Sequence, residues 1–149
     1  MTVFIDADAC PVTTEAVQIA HAQKVKVVLL CDTSHEITRP GAETVIVSKG
    51  ADSVDYALVN RLARGDVAIT QDYGLAAMCL ARGAHAMNQN GLVYNEFNIG
   101  LLLEQRAAAA KQRRAGKHGK GPAKRTAEQT EEFCKNFQKL LFALQLNLN

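Results

Sequence analysis

Aspartates follow three short apolar segments of this chain, and carboxylates in such positions are groups that bind divalent metal ions. The segments are residues 3–5, 45–47 and 67–69, and the acids that follow them are Asp6, Asp8, Asp52, Asp55 and Asp72. In an open parallel α/β sheet, the carboxyl ends of the strands share one edge, and ligands bind in the crevice there. We therefore expect these acids, far apart in sequence, to meet in space.

Asp6 and Asp8 are the pair that an ordinary structural role does not explain. Asp52 and Asp72 lie where helices are predicted to begin, and an aspartate there can accept hydrogen bonds from backbone N–H groups. By contrast, carboxylates at positions i and i+2 of an extended segment lie on one side and repel each other, so they normally need a cation. Oxygen ligands favour Mg²⁺ or Mn²⁺ over zinc, and no histidine lies near these acids in sequence.

Residues 1–103 alternate between strands and helices and are predicted to form one α/β domain. Apolar, β-branched segments are typical of strands that are covered on both faces, and they occur at residues 2–7, 24–31, 44–48, 66–70 and 84–87. Helices are predicted at residues 11–23, 52–64 and 73–82, the last two ending in left-handed Gly65 and Gly83, and another begins at Asn95. This order predicts a three-layer α/β/α sandwich with a mainly parallel sheet.

A basic C-terminal part follows this acidic domain. Residues 1–103 carry a net charge of −4 and residues 104–149 carry +6, which together give the +2 of the chain. Residues 104–125 are predicted to be a basic helix end and a flexible loop, because residues 111–125 lack large apolar side chains. The charges of such a basic segment are often only solvated. Beside an acidic metal site, however, they could bind the phosphates of a nucleic acid. The candidate contacts are Lys111, Arg113, Arg114, Lys117, Lys120, Lys124 and Arg125. The lack of aromatic residues in this segment favours contacts to the backbone over base stacking.

Residues 126–149 are predicted to form an amphipathic C-terminal helix that extends the domain. Thr126 and Gln129 have the spacing of a capping box. Apolar residues recur every three or four positions along one face, at Phe133, Phe137, Leu140, Leu141, Leu144 and Leu148. This face must be buried either on the domain or on a second copy of the chain, so a homodimer through the helix is one expectation.

The remaining composition favours a cytoplasmic protein without a membrane partner. The four cysteines form no C-x-x-C motif, which indicates free thiols in a reducing compartment. No apolar run approaches the roughly 20 residues of a membrane span. The apolar residues after Met1 are also too few for a secretion signal.

Three motifs resemble the YaiI/YqxD family of small bacterial proteins, and the resemblance covers nearly the whole chain. They are I-D-A-D-A-C-P-V at residues 5–12, K-G-A-D-S-V-D at 49–55 and T-Q-D-Y-G-L-A at 70–76, together with Gly121-Pro122. The plan more remotely resembles the PIN-like and NYN nucleases, whose acids hold divalent metal for phosphodiester hydrolysis. As an analogy of fold, this implies a PIN-like domain over residues 1–103. It also implies catalytic and metal-binding roles for Asp6, Asp8, Asp55 and Asp72, with Asp52 as a further metal ligand.

The sequence therefore predicts a Mg²⁺- or Mn²⁺-dependent nuclease whose expected partner is single-stranded RNA. One alternative is a phosphatase of the haloacid-dehalogenase type, in which Asp6 attacks phosphorus and Asp8 acts as acid and base. Against it, Cys10-Pro11 is predicted to begin the first helix at once, which leaves no room for the flap that this fold needs. The other alternative is a non-enzymatic RNA- or ribosome-associated binding module, in which the acids only cap helices. Metal binding would separate this module from the two enzymes.

Overall fold

The structure is a computed structural model and describes residues 1–48, 53–116 and 123–147. Its strands are β1 (Thr2–Asp6), β2 (Lys26–Asp32), β3 (Glu43–Val47), β4 (Val67–Ile69) and β5 (His85–Met87). Its helices are α1 (Thr13–Ala22), α2 (Ser53–Arg61), α3 (Tyr73–Ala81), α4 (Glu96–Arg114) and α5 (Ala127–Asn147). The predicted alternation of strands and helices is confirmed, and the boundaries differ by a few residues.

All five strands of the sheet are parallel, in the order β3-β2-β1-β4-β5. From β1 the chain builds outwards through β2 to β3, then crosses back and continues with β4 and β5 on the other side of β1. The neighbouring strands β1 and β4 therefore form the switch point of the sheet. A ligand crevice is expected outside the carboxyl ends of strands at such a point.

Alternate residues of β1 face two separate helical layers, as expected for a strand that is buried on both faces. Val3 and Ile5 are fully buried in a core that includes residues of α1 and α5. Phe4 belongs instead to the core that includes residues of α2, α3 and α4. The three-layer α/β/α arrangement with a helical C-terminal extension is thus confirmed.

The C-terminal helix α5 packs on α1 of the same chain. Its fully buried side chains are Phe133, Phe137 and Leu141. The side-chain amide of Gln145 donates to the Gln23 carbonyl oxygen at 2.9 Å, close to the end of α1. At its start, the Thr126 and Gln129 side chains accept from each other's backbone N–H, as a capping box predicts. Because the buried face is covered within one chain, its burial does not require a second copy, and the homodimer stays a prediction. Leu148, the last residue of the predicted stripe, lies outside the described residues.

Helix α4 extends to Arg114, so the first four residues of the segment predicted as a loop are helical. This part of the loop prediction is wrong because alanine, lysine, glutamine and arginine form helix readily even without a buried face. Lys111, Arg113 and Arg114 therefore form the last turn of a helix. Lys117 and Lys120 lie outside the described residues.

The left-handed glycines after α2 and α3 agree with the sequence prediction, whereas the start of α1 is shifted. Gly65 and Gly83 have φ values of +87° and +79°, which confirms the predicted left-handed positions. Helix α1 begins at Thr13 and not at Pro11, because residues 7–12 form a turn in which the Cys10 N–H donates to the Ala7 carbonyl oxygen at 3.2 Å.

All four cysteines are free, as predicted. Within the described part of the chain, no helix combines the length and the apolar character needed to cross a membrane.

Candidate functional site

Three of the predicted acids line one cleft at the carboxyl edge of the sheet. Asp6 is the last residue of β1, Asp8 lies in the turn that follows, and Asp72 comes shortly after β4. The cleft has a volume of about 300 Å³ and is lined by Asp6, Asp8, Ala9, Gln71 and Asp72. It lies outside the switch point between β1 and β4. The structure thus places carboxylates from two distant segments where the fold provides a ligand crevice.

The Thr70 hydroxyl group fixes two of these acids relative to each other. Its Oγ1 donates to Asp6 Oδ2 at 2.9 Å and accepts from the Asp72 backbone N–H at 3.0 Å. Thr70 is itself buried, and its carbonyl oxygen accepts from the hydroxyl of buried Tyr94 at 3.1 Å. The Tyr94 ring is in edge contact with Tyr73 at 6.2 Å between centroids. The Asp6 carboxylate and the backbone at Asp72 are therefore both held by the buried Thr70, which is itself bound by Tyr94.

Asp72 combines a capping role with a place in the cleft. Its Oδ1 accepts from the backbone N–H groups of Gly74 at 2.8 Å and Leu75 at 3.2 Å, at the start of α3. The Arg106 guanidinium lies 3.8 Å from the same oxygen. Among the described residues, no group donates to Asp72 Oδ2. Capping thus orients this carboxylate and leaves one oxygen for a ligand.

The negative charge of Asp6 is unfavourable in this cleft. Burial raises the pKa of Asp6 from 3.8 to about 6, and the charges of Asp8 and Asp72 add to the rise while the Thr70 hydrogen bond opposes it. Asp8 Oδ1 is buried and has no hydrogen-bond partner among the described residues. A divalent cation would stabilise both groups, and an all-oxygen donor set suits Mg²⁺ or Mn²⁺. The residues present therefore fit such an ion.

A histidine lies beside Asp8 in space, although none lies near the predicted acids in sequence. Asp8, Asp32 and His35 each offer one ligand atom, and these atoms lie within 4.8 Å of one another. The Asp32 N–H also donates to Asp8 Oδ2 at 3.3 Å. The reason is that β2 pairs with β1, so the residues after β2 lie beside the turn after β1. An imidazole ligand widens the choice beyond Mg²⁺ and Mn²⁺ to metals such as Zn²⁺ and Fe²⁺.

Asp55 lies in a neighbouring cleft and not in the one that holds Asp6 and Asp8. This second cleft, of about 400 Å³, is lined by Asp55, Tyr56, Asp72, Gly74, Leu75, Met78 and Arg106. Asp72 is common to both clefts and forms the wall between them. Asp52 lies outside the described residues.

Arg125 is anchored to the domain by side-chain hydrogen bonds. Its guanidinium donates to Asn90 Oδ1 and to the Gln89 carbonyl oxygen, both at 2.6 Å, and to Thr130 Oγ1 at 3.1 Å. These bonds fasten the start of α5 to the loop after β5. Lys124 beside it is exposed. Binding of nucleic acid by these two residues stays a prediction.

Sequence reasoning missed the residues that support the acids. Thr70 lies in the T-Q-D-Y-G-L-A motif, but nothing in the sequence predicts its hydrogen bond to Asp6, and no signal separates Tyr94 from other core residues. Arg106 stands among other basic residues of the tail, and His35 is isolated in sequence, so that only the strand order places it beside Asp8.

The fold and the site define a doubly wound α/β protein with an acidic crevice at its switch point. Residues 4–143 match the family described as "Uncharacterized BCR, YaiI/YqxD family", and the chain belongs to that family. It is 46% identical to a UPF0178 protein of Clostridium acetobutylicum, covering 95% of this chain and 97% of that one. A UPF0178 protein of Exiguobacterium sibiricum is 45% identical, with 95% and 96% covered.

One solved structure is similar in outline. The crystal structure of Rae1 (YacP) from Bacillus subtilis, a W164L mutant, aligns over 99% of both chains with 13% sequence identity and a TM-score of 0.46.

Proposed function

We propose that this protein is a divalent-metal-dependent nuclease that hydrolyses phosphodiester bonds in RNA. The observation that carries the proposal is the meeting of Asp6, Asp8 and Asp72 in one cleft at the switch point. In the proposal, Asp6 and Asp72 hold Mg²⁺ or Mn²⁺. When bound, such an ion supplies charge that activates water and neutralises the negative charge building on a phosphate.

The side chains around the cleft divide the remaining tasks. Thr70 keeps Asp6 and Asp72 in register through its two hydrogen bonds. Asp8 lines the same cleft and is suited to orient the attacking water and take its proton. Asp55, in the adjacent cleft, is the remaining acid and is suited to a second ion or to orienting substrate.

The basic C-terminal part supports a nucleic acid as the substrate. Lys111, Arg113, Arg114 and Lys124 are all exposed. Cations of this kind attract phosphates, and each phosphate contact adds roughly 0.7 to the slope of log affinity against log salt for a single strand. Replacing Lys111, Arg113 and Arg114 by glutamine should therefore flatten the salt dependence of RNA binding. An unchanged slope would indicate that these residues are only a solvated helix end and do not contact RNA. In this proposal the protein works in the cytoplasm on single-stranded RNA.

The test is cleavage of end-labelled single-stranded RNA with Mn²⁺ by the purified full chain. We expect slow cleavage that is abolished in Asp6→Asn and in Asp72→Asn. Glu128→Gln is the matched control, because it neutralises an exposed acid in the first turn of α5, away from the cleft. Cleavage by Asp6→Asn at the wild-type rate would refute the proposal.

The same preparation separates the two alternatives. A phosphatase that uses Asp6 as nucleophile should hydrolyse small phosphomonoesters and gain the mass of a phosphoryl group. The structure does not favour this reading, because the turn at residues 7–12 leads directly into α1 without a flap. A binding module should neither cleave RNA nor hydrolyse phosphomonoesters, and Mn²⁺ should not raise its thermal stability.

A further inference from the structure

The second cleft has the size and the lining of a nucleotide subsite. Its volume of about 400 Å³ is within the range of small-molecule sites. Asp72 separates it from the first cleft, which holds Asp6 and Asp8, so a ligand that fills one cleft is adjacent to the other. The lining combines an aromatic side chain, a guanidinium and apolar surface from α3.

Tyr56 is the aromatic side chain of this cleft. It lies on α2 with 61% of its surface exposed, so its ring is accessible to a ligand. Met78 from α3 lies in the same cleft and is also exposed in part, while Leu75 is fully buried beneath. An exposed aromatic ring beside apolar surface is suited to stack on a nucleic-acid base.

Arg106 supplies the positive charge of the cleft. Its side chain is 56% exposed and lies 3.8 Å from Asp72 Oδ1, an oxygen that already accepts two backbone hydrogen bonds. Exposed ion pairs of this kind contribute little to stability, so the guanidinium can turn to a phosphate at little cost. Arginine also presents a planar fork that matches phosphate oxygens.

Gly74 lies against Asp72, the acid that lines both clefts. A Cβ atom at this position would lie 3.3 Å from Asp72 Oδ1, closer than an ordinary van der Waals contact. A side chain there would press on the acid that both clefts share. The absence of a side chain at Gly74 thus leaves the Asp72 carboxylate undisturbed.

We infer that the second cleft holds the nucleotide next to the cleaved bond, with Tyr56 stacked on its base and Arg106 bound to its phosphate. This rests on the proposed function and adds to it a reason for choosing single strands. A base within a duplex is already paired and stacked, so its face is not available to Tyr56.

The experiment measures binding and cleavage separately for the same variants. Binding is followed by fluorescence anisotropy of a labelled single-stranded RNA of about 12 nucleotides, with Ca²⁺ replacing Mn²⁺ and strand integrity checked on a gel. Tyr56→Ala should weaken binding by about 5- to 150-fold, the range measured for loss of one stacked base, and Tyr56→Phe should retain it. The matched control is Phe142→Ala, which removes a ring with the same 61% exposure on α5.

Two further comparisons identify the contacts. A strand with abasic sites should bind wild type and Tyr56→Ala equally, because it has no base to stack. Arg106→Gln should lower the salt slope by about 0.7, whereas Arg61→Gln, at the other end of α2, should not.

The outcomes separate this inference from the proposed function. If wild type cleaves RNA and Tyr56→Ala binds and cleaves like wild type, the subsite is refuted and the nuclease stands. If Tyr56→Ala loses affinity while wild type does not cleave, the subsite stands and the nuclease is refuted. Wild type that neither binds nor cleaves RNA would overturn both.

Discussion

Replacing Asp6 with asparagine should stabilise the metal-free protein at pH 8, although it removes a proposed metal ligand. Burial, with the charges of Asp8 and Asp72, raises the pKa of Asp6 to about 6 despite the hydrogen bond from Thr70. At pH 8 the folded protein therefore holds a carboxylate that is better solvated in the unfolded chain. Asparagine carries no charge and keeps an oxygen that can accept from Thr70 Oγ1.

The sign and the size of this effect follow from proton linkage. Between pH 3.8 and about 6 the folded state binds the Asp6 proton more tightly than the unfolded state, so wild-type stability falls as pH rises through this window. The shift corresponds to at most about 3 kcal/mol, at about 1.4 kcal/mol for each pKa unit. Since the asparagine amide must also find partners, we expect Asp6→Asn to gain about 1–3 kcal/mol at pH 8 and almost nothing near pH 4.

Urea unfolding followed by circular dichroism, in EDTA and from about pH 4 to pH 8, measures this difference. The control is Asp66→Asn, because the Asp66 carboxylate accepts from the Thr2 N–H at 2.9 Å and the Ala63 N–H at 2.8 Å. That variant should be less stable than wild type at pH 8. The reasoning is refuted if Asp6→Asn shows no gain at pH 8, or if its gain is as large at pH 4.

Three further predictions concern metal, the α5 anchor and a tight turn. Mn²⁺ should raise the unfolding temperature of wild type but not of Asp6→Asn, and in wild type this rise should shrink below about pH 6 because protons compete for the same carboxylate; an equal rise in both proteins in a thermal-shift assay would contradict it. Arg125→Gln should lower the free energy of unfolding in urea by about 1–3 kcal/mol through its lost hydrogen bonds, whereas Lys111→Gln should change it by less than about 0.5 kcal/mol. Gly91→Ala should lower the unfolding temperature more than Gly65→Ala: both have φ of +87°, but only at Gly91 would a Cβ lie 2.8 Å from a backbone oxygen of α5. Equal losses of unfolding temperature in the two variants would contradict this prediction and show that backbone strain alone determines the effect.

The place of three acids could be predicted from the sequence because it depends on simple rules. Apolar, β-branched segments form buried strands, and parallel strands end at one edge. These rules are enough to bring Asp6, Asp8 and Asp72 together. They also predict that Asp72 begins a helix, since an aspartate before an apolar periodic segment is a common N-cap.

The partners of these acids depend on neighbours that the sequence does not reveal. His35 lies beside Asp8 because β2 pairs with β1, and strand order is not written in any local pattern. Arg106 reaches Asp72 because α4 packs on α3, and one residue more or less along α4 would turn that side chain by about 100°. The position of Asp55 in the second cleft also depends on helix register, because the residue at which α2 begins decides which way the Asp55 side chain points.

The acids of the cleft differ in what they do for the fold, and this difference bears on function. Asp72 stabilises the start of α3 through its capping bonds, so a structural role is enough to explain an aspartate at this position. Asp6 caps no helix, and burial together with two neighbouring carboxylates makes its charge unfavourable in the metal-free fold. A charge that destabilises the folded protein favours the proposed role of Asp6 as a ligand of a cation. Thr70 hydrogen-bonds both to Asp6 and to the backbone of Asp72, and the two carboxylates line one cleft, so a cation at Asp6 would share that cleft with the free oxygen of Asp72.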